Sequence, residues 1–387
     1  MFDYNSLPNE IWLQIFQLAT DSHLHYAYLR YTPFQPLPGQ GGKREAAILA
    51  VKSNLSLVCK RWRLLTAELL FRDIRIAHGV EGLKGALQVS ASDGENCARW
   101  VRRVVLPYSS TLSTPQRSPR VAIEILQLCH CLEALVRPQY LPPGALRFDF
   151  EVENVSLPSL QRLEWWHNNE AERSGGINSL CGVLCNSPNL KYLFIGGLIG
   201  QYRTSAHQNI FLPQLTTLRL HIVDGLLLHQ VMRNWILPSL RHIILDTPGL
   251  VSQSLYVIWD IHGPELRTVE FGKHLRFLMN DNVAACLQRC QQLQEINYYI
   301  LFTMTPEIAT PHLHLKTIGL HAAVNQLLVE PGAVWSKIEQ HFTALLNEQL
   351  PSLQRIVLYG DWRGVVSNPR FLPILQRAEQ VGCLMVY

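Results

Sequence analysis

The chain has 387 residues, more than the ~100–200 typical of one compact domain, and its 48% hydrophobic and 17% charged residues describe a globular rather than a disordered chain. Thirty-four basic and 30 acidic residues leave a net charge of +4, and no basic run stands out, so the charge does not point to nucleic acid. No apolar run approaches the ~18 residues of a membrane span, and the N-terminus, with Asp3 and Glu10, lacks the unbroken apolar core of a signal peptide. The expectation is a protein of the cytoplasm or nucleus with no membrane partner.

The first patterned stretch is Leu7-Pro8-Asn9-Glu10-Ile11-Trp12 with Ile15-Phe16. Pro8 suits the first turn of a helix, and Ile11, Ile15 and Ala19 recur at i+4 beside Trp12 and Phe16, giving one broad apolar face. It is answered by Leu55-Ser56-Leu57-Val58-Cys59-Lys60-Arg61-Trp62, where Leu55, Val58, Trp62, Leu65 and Leu69 step at helical spacing. Two short helices with faces this wide need a third surface to cover them.

These two stretches resemble the F-box, whose pattern opens Leu-Pro-x-Glu-(Ile/Leu) and closes Leu-Val-(Cys/Ser)-(Lys/Arg)-x-Trp. The resemblance implies a three-helix module that docks on a Skp-type adaptor and through it on a cullin scaffold. It also implies adaptor contacts at Leu7, Pro8, Ile11, Trp12, Ile15, Phe16, Leu55, Val58, Cys59 and Trp62. Phe16 and Leu55 lie 39 positions apart (55 − 16), further than in the usual compact module. The added length holds Pro33, Pro36, Pro38, Gly39, Gly41 and Gly42, a loop composition. Residues 1–70 therefore read as an F-box with an insertion at about 21–52, and residues 31–46 as a mobile loop.

Beyond Trp62 the helical pattern runs to Leu70, then gives way to alternation in Phe71–Ile76. From there the chain repeats. Tags such as Leu157-Pro158-Ser159-Leu160, Leu212-Pro213-Gln214-Leu215, Leu237-Pro238-Ser239-Leu240 and Leu350-Pro351-Ser352-Leu353 each precede Leu-x-x-Leu-x-Leu or a close variant. The anchors Phe71, Val101, Leu132, Leu160, Leu190, Leu215, Leu240, Leu266, Leu293, Leu315 and Leu353 are mostly 25–31 residues apart. Proline ends each preceding helix, and the alternation makes a short strand. One strand plus one helix cannot bury its own apolar face, so neighbours must stack.

The pattern resembles irregular leucine-rich repeats of the kind found behind fungal-type F-boxes. The fold class expected is α/β: an N-terminal helical F-box, then a leucine-rich-repeat solenoid over 71–387 with parallel strands inside and helices outside. A helix and strand over Phe371–Tyr387 would cap it. The asparagine that usually follows the strand is present at Asn168 but replaced by Leu198, Val223, Pro248 and Leu301. Residues 109–120, rich in Ser, Thr and Pro, read as a solvated loop.

Nothing in the sequence carries catalysis. There is no phosphate-binding glycine loop, Gly-x-Ser-x-Gly elbow or His-Glu-x-x-His. His23-x-His25 and His312-x-His314 have no third ligand nearby and read as surface or loop histidines. The nine cysteines are an odd number without finger-like metal spacing, and Cys129 and Cys290 each stand three residues before a repeat anchor, a core position. No cofactor and no metal is expected, and the chain reads as a non-enzyme.

Strand geometry aims the residue before the second leucine, the one after it, and the one after the third to the open side. Arg162, Trp166, Tyr192, Phe194, Arg219, Tyr299 and Tyr359 fall there, and aromatics and arginines are typical interface anchors. The expectation is an exposed groove centred on Trp166, Tyr192 and Phe194 that binds a target protein whose identity the sequence leaves open. The reading is a substrate-recognition subunit of a Skp–cullin–F-box ubiquitin ligase; the alternative is an adaptor-binding regulatory protein outside ubiquitination.

Overall fold

The computed structural model describes residues 7–20, 31–38, 42–76, 80–89, 96–108, 119–139, 153–197, 209–222, 232–246, 252–273, 281–323 and 331–387. Outside them lie His23 and His25, the greater part of the Ser/Thr/Pro stretch, the Leu198, Val223 and Pro248 positions, and residues 21–30 and 39–41 of the insertion. Contacts divide the chain into two units. The first comprises Met1–Thr32, Pro36–Leu193 and Ile210–Gln214; the second comprises Pro33–Gln35, Phe194–Asn209 and Leu215–Tyr387.

The first unit opens with three helices, α1 (Asn9–Ala19), α2 (Gly42–Val58) and α3 (Lys60–Phe71). Strands follow at β1 (Asp73–Arg75), β2 (Arg103–Val105), β3 (Ala134–Arg137) and β4 (Arg162–Trp166), each parallel to the next. The register stacks Ile74, Val104, Leu135 and Leu163 in one row. That row is the second leucine of each repeat, and all four side chains are buried. β5 (Tyr192–Gly197) begins in this unit, and the two-residue β6 (Ile210–Phe211) closes it.

The second unit repeats the scheme with β7 (Thr217–Ile222), the short β8 (Trp235–Ile236), β9 (His242–Leu245), β10 (Thr268–Phe271), β11 (Glu295–Tyr299), β12 (Thr317–His321), β13 (Arg355–Tyr359) and β14 (Leu384–Val386). From β7 through β9 to β14 every neighbouring pair is parallel. Leu218, Ile243, Val269, Ile296, Ile318 and Ile356 form one buried row, and Leu220, Leu245, Phe271, Tyr298, Leu320 and Leu358 the next. Helices Ser252–His262, Asn282–Arg289 and Pro331–Leu345 bury Trp259, Cys286 and Phe342. Trp259 meets Phe271 edge-on with ring centroids 6.2 Å apart. Leu372–Gln380 and β14 supply the helix and strand expected at the C-terminal end. This is the strand-and-helix order of leucine-rich repeats.

The repeated tags have a specific backbone role. In three of them the anchor N–H donates to the carbonyl three residues back: Leu160 to Leu157 (3.1 Å), Leu240 to Leu237 (3.2 Å) and Leu353 to Leu350 (3.1 Å). Proline therefore occupies the second position of a β-turn, where its fixed φ is favoured. Leu132 and Leu293 make the same bond to Cys129 and Cys290, so these buried thiols replace the first leucine of the tag. Burial pushes the Cys129 thiol up to about 12, which keeps it protonated and apolar. Among the described residues no group of three His, Cys, Asp or Glu could hold a metal ion. No described helix is long and apolar enough to cross a membrane.

His312, expected at the surface, is buried. One ring nitrogen lies 3.1 Å from the Cys290 carbonyl, and the other accepts the Leu315 N–H at 3.1 Å. Its imidazole satisfies the turn before β12, a task that His-x-His spacing does not announce.

Two further histidines give the fold an acid limit. His341 is buried with Nε2 3.1 Å from the Thr303 carbonyl and Nδ1 3.3 Å from the Tyr298 hydroxyl. A carbonyl only accepts, so Nε2 carries the proton and Nδ1 takes the tyrosine's hydrogen bond. Burial, with Lys337 nearby, lowers its pKa from 6.5 to about 3. Burial and Arg219 lower buried His242 to about 3 as well. A base depressed in the fold binds its proton more readily in the unfolded chain. Stability is therefore held above pH 6.5 and falls as the pH drops towards 3. Each tenfold difference in proton affinity between the two states is worth about 1.4 kcal/mol, so the two histidines together weaken the fold by several kcal/mol. Urea titrations at pH 7.5, 5.5 and 4.5 should show the decline, and replacing both with glutamine should flatten it.

Candidate protein-interaction surfaces

The helical module is held by an aromatic core. Trp12, Phe16 and Leu69 are buried, with Leu7, Leu55, Trp62 and Leu65 packed against them. Ring centroids are 4.7 Å apart for Trp12 and Trp62, 4.8 Å for Phe16 and Trp62, and 5.6 Å for Trp12 and Phe16. α1 starts after Pro8 without a side-chain cap, and Glu10 in its first turn complements the helix dipole. α3 is capped by Cys59, whose Sγ accepts the Trp62 N–H at 3.4 Å. Arg61 ties the two helix starts together, donating to the Leu7 carbonyl (2.6 Å) and to Asn9 Oδ1 (2.9 and 3.0 Å).

Around this core the residues expected to meet an adaptor divide. Trp12 and Phe16 face inward, and Leu7, Leu55 and Trp62 are half-buried beside them. Pro8, Ile11, Ile15, Val58 and Cys59 are exposed. Ile11 and Ile15 keep 40% of their surface in water, Leu18 66%, Val58 59% and Leu57 81%. Ile11, Ile15 and Leu18 are spaced four and three residues apart, so they line one stripe of α1. Grouped apolar exposure of this kind makes the stripe a candidate interaction surface. Leu18 and Leu57, which share this apolar exposure, are not among the expected adaptor positions, although their spacing from Ile11 and Val58 was the available signal.

The repeat strands tell a different story. Trp166, Tyr192 and Phe194, expected as an exposed apolar patch, are buried. Arg162 and Arg219 are buried too. In the first unit Arg162 pairs with Glu164 at 2.7 Å and lies 3.6 Å from the Tyr192 ring centroid, and Trp166 Nε1 donates to the Pro38 carbonyl at 3.0 Å. In the second unit Arg219 pairs with Asp246 at 2.6 Å, lies 5.9 Å from the Phe194 ring centroid, and donates to the Gln35 carbonyl at 2.8 Å. The alternation rule separates these side chains from the leucine rows of the core. It could not show what lies over them.

Part of the answer is the insertion itself. Residues 31–46 were expected to form a mobile loop; instead 42–46 already belong to α2, and 33–35 pack with the second unit. The Phe34 N–H donates to Glu270 Oε2 at 3.0 Å. Its ring sits among three others, with centroids 5.0 Å from Tyr299, 5.1 Å from His321 and 5.1 Å from Tyr359. Aromatic pairs favour such edge and tilted approaches. Tyr299 and Tyr359, both expected as target contacts, are half-buried here. Burial lowers the His321 pKa, with Lys273 adding to the effect, so the ring facing Phe34 is neutral.

The backbone under Phe34 is unusual. Its φ is +61°, a region that bulky side chains rarely enter. With Pro33 before it, the segment follows a type II turn, whose third position favours glycine. A phenylalanine is retained there because the cage and the Glu270 carboxylate hold it. Space for the cage comes from Gly319, where an added Cβ would stand 2.0 Å from Asn297 Oδ1 and 3.0 Å from Tyr359 Cε2. Phe34 was overlooked because the prolines around it read as loop; an aromatic and Leu37 among three prolines was the available signal.

No family model matches the sequence, and no curated protein matches it. Among solved structures, the leucine-rich-repeat-containing protein LegL7 of Legionella pneumophila is similar at 12% identity with a TM-score of 0.37, over 72% of this chain and 91% of that one. A chain in the crystal structure of the Rad7 and Elc1 complex in yeast is similar at 13% identity with a TM-score of 0.35, over 91% of this chain and 88% of that one. The repeat assignment rests on this chain's own strand register and turns.

Proposed function

We propose that this chain is a non-catalytic substrate receptor of a Skp–cullin–F-box ubiquitin ligase, working in the cytoplasm or nucleus. α1–α3 bind the Skp-type adaptor, the adaptor joins them to the cullin, and the repeats hold the target protein. Ubiquitin transfer is then promoted by proximity, with no covalent step on this chain. The observation that carries the reading is the exposure of Ile11, Ile15 and Leu18 on α1 and of Leu57 and Val58 at the end of α2. These residues lie on helices whose aromatic core is already complete, and they include F-box contact positions.

The test is an Ile11→Asp, Val58→Asp double variant. Both residues are exposed, so the fold should change by no more than about 0.5 kcal/mol per site. Adaptor capture should fall by two orders of magnitude or more, since a charge in the centre of a desolvated apolar contact has no partner. Wild-type capture by a folded double variant would sink the assignment. Recovery of the adaptor without a cullin from cells would favour a regulatory role outside ubiquitination.

A further inference from the structure

We propose that the ring cage of Tyr299, His321 and Tyr359, with Glu270 and Arg219, is a peptide-recognition site, and that Pro33-Phe34-Gln35 is its internal ligand. The external partner is a short peptide that turns at a proline followed directly by an aromatic side chain. This deepens the receptor reading by naming the chemistry of the target, and peptide binding itself does not depend on that reading.

The observations are independent of one another. The cage takes one aromatic ring between two tyrosines and a neutral imidazole. Two backbone contacts frame it, the Phe34 N–H on the Glu270 carboxylate and the Gln35 carbonyl on the Arg219 guanidinium. Hydrogen bonds to a peptide's main chain supply affinity, and a pocket for the side chain between them supplies specificity. The residue in the cage keeps a backbone conformation it would not choose alone. The occupant therefore stays because of the site, and not because the local sequence prefers that turn. It also comes from a segment far away in sequence, with no part in the strands or helices of the repeats.

A tethered ligand competes at an effective concentration on the order of millimolar, so a free peptide reaches the cage of the intact chain only weakly. Phe34→Gly relaxes the turn and empties the cage at once. The probe is a fluorescent peptide, Thr-Pro-Phe-Gln-Pro-Leu-Pro, copied from residues 32–38, titrated against the full-length chain and read by anisotropy. Phe34→Gly should bind it about tenfold or more tighter than wild type. A peptide with alanine for phenylalanine should not bind, and adding Tyr299→Ala to Phe34→Gly should remove the gain.

Equal binding by folded wild type and Phe34→Gly, or binding of the alanine peptide as well as the parent, overturns the proposal. If circular dichroism shows Phe34→Gly unfolded, Phe34→Leu is held to the same criteria. Adaptor capture is measured on the same proteins. Peptide binding without adaptor capture sustains the cage and counts against the ligase reading, whereas adaptor capture without peptide binding overturns the cage alone.

Discussion

Phe16→Ala is expected to destabilise the helical module by about 3–5 kcal/mol, the range for removing a buried aromatic side chain from a packed core. Phe16 is 1% exposed, stacks on Trp12 and meets Trp62 edge-on, so its loss leaves a cavity between α1 and α3. Neither tryptophan can fill it while Arg61 holds the helix starts together. Urea unfolding followed by tryptophan fluorescence reads the effect, because Trp12 and Trp62 line the cavity. Ile15→Ala, one residue earlier but facing water, should shift stability by less than about 0.5 kcal/mol. Comparable losses for the two would mean that α1 is rotated from the orientation described.

Arg219→Met should cost about 3–5 kcal/mol in the second unit, because it strands the Asp246 carboxylate in the interior. Both partners are buried and 2.6 Å apart. The carboxylate is also enclosed: a Cβ on Gly272 would fall 1.6 Å from its Oδ1. Chemical denaturation at pH 7 should show the deficit. Removing both charges in Arg219→Met, Asp246→Leu should recover most of it, since the penalty comes from the uncompensated charge rather than the missing bond. A double variant as unstable as the single one would assign the loss to Arg219's contacts with Phe194 and Gln35 instead.

The repeats were legible because their signal is local. Leu-Pro-x-Leu is a turn followed by a strand, and both are decided within about ten residues. The apolar positions of the first and third helices were legible as a set, but their division between core and surface was not. Ile11 and Trp12 are adjacent and both apolar, and a helix turns ~100° between them. Which of the two faces inward depends on where α3 lies. The aromatic face of the strands failed for a related reason. Alternation identifies the face, whereas its cover comes from residues 184 and 236 positions away in the chain, at Gln35 and Phe34. Proline content, read as a loop, described the local backbone and was silent on the ring between the prolines.

That separation sets an order of events during synthesis. Phe34 leaves the ribosome long before its acceptor exists, since Glu270 is 236 residues behind it. At about 5–20 residues per second the wait is roughly 10–50 s. The N-terminal helices have all their core residues by position 69 and can fold during that interval. The cage can close on Phe34 only after Tyr359 emerges, so its own ligand arrives as one of the last long-range contacts of a newborn chain. Until then the ring is an exposed aromatic on a nascent polypeptide, available to chaperones and to any protein present at the ribosome.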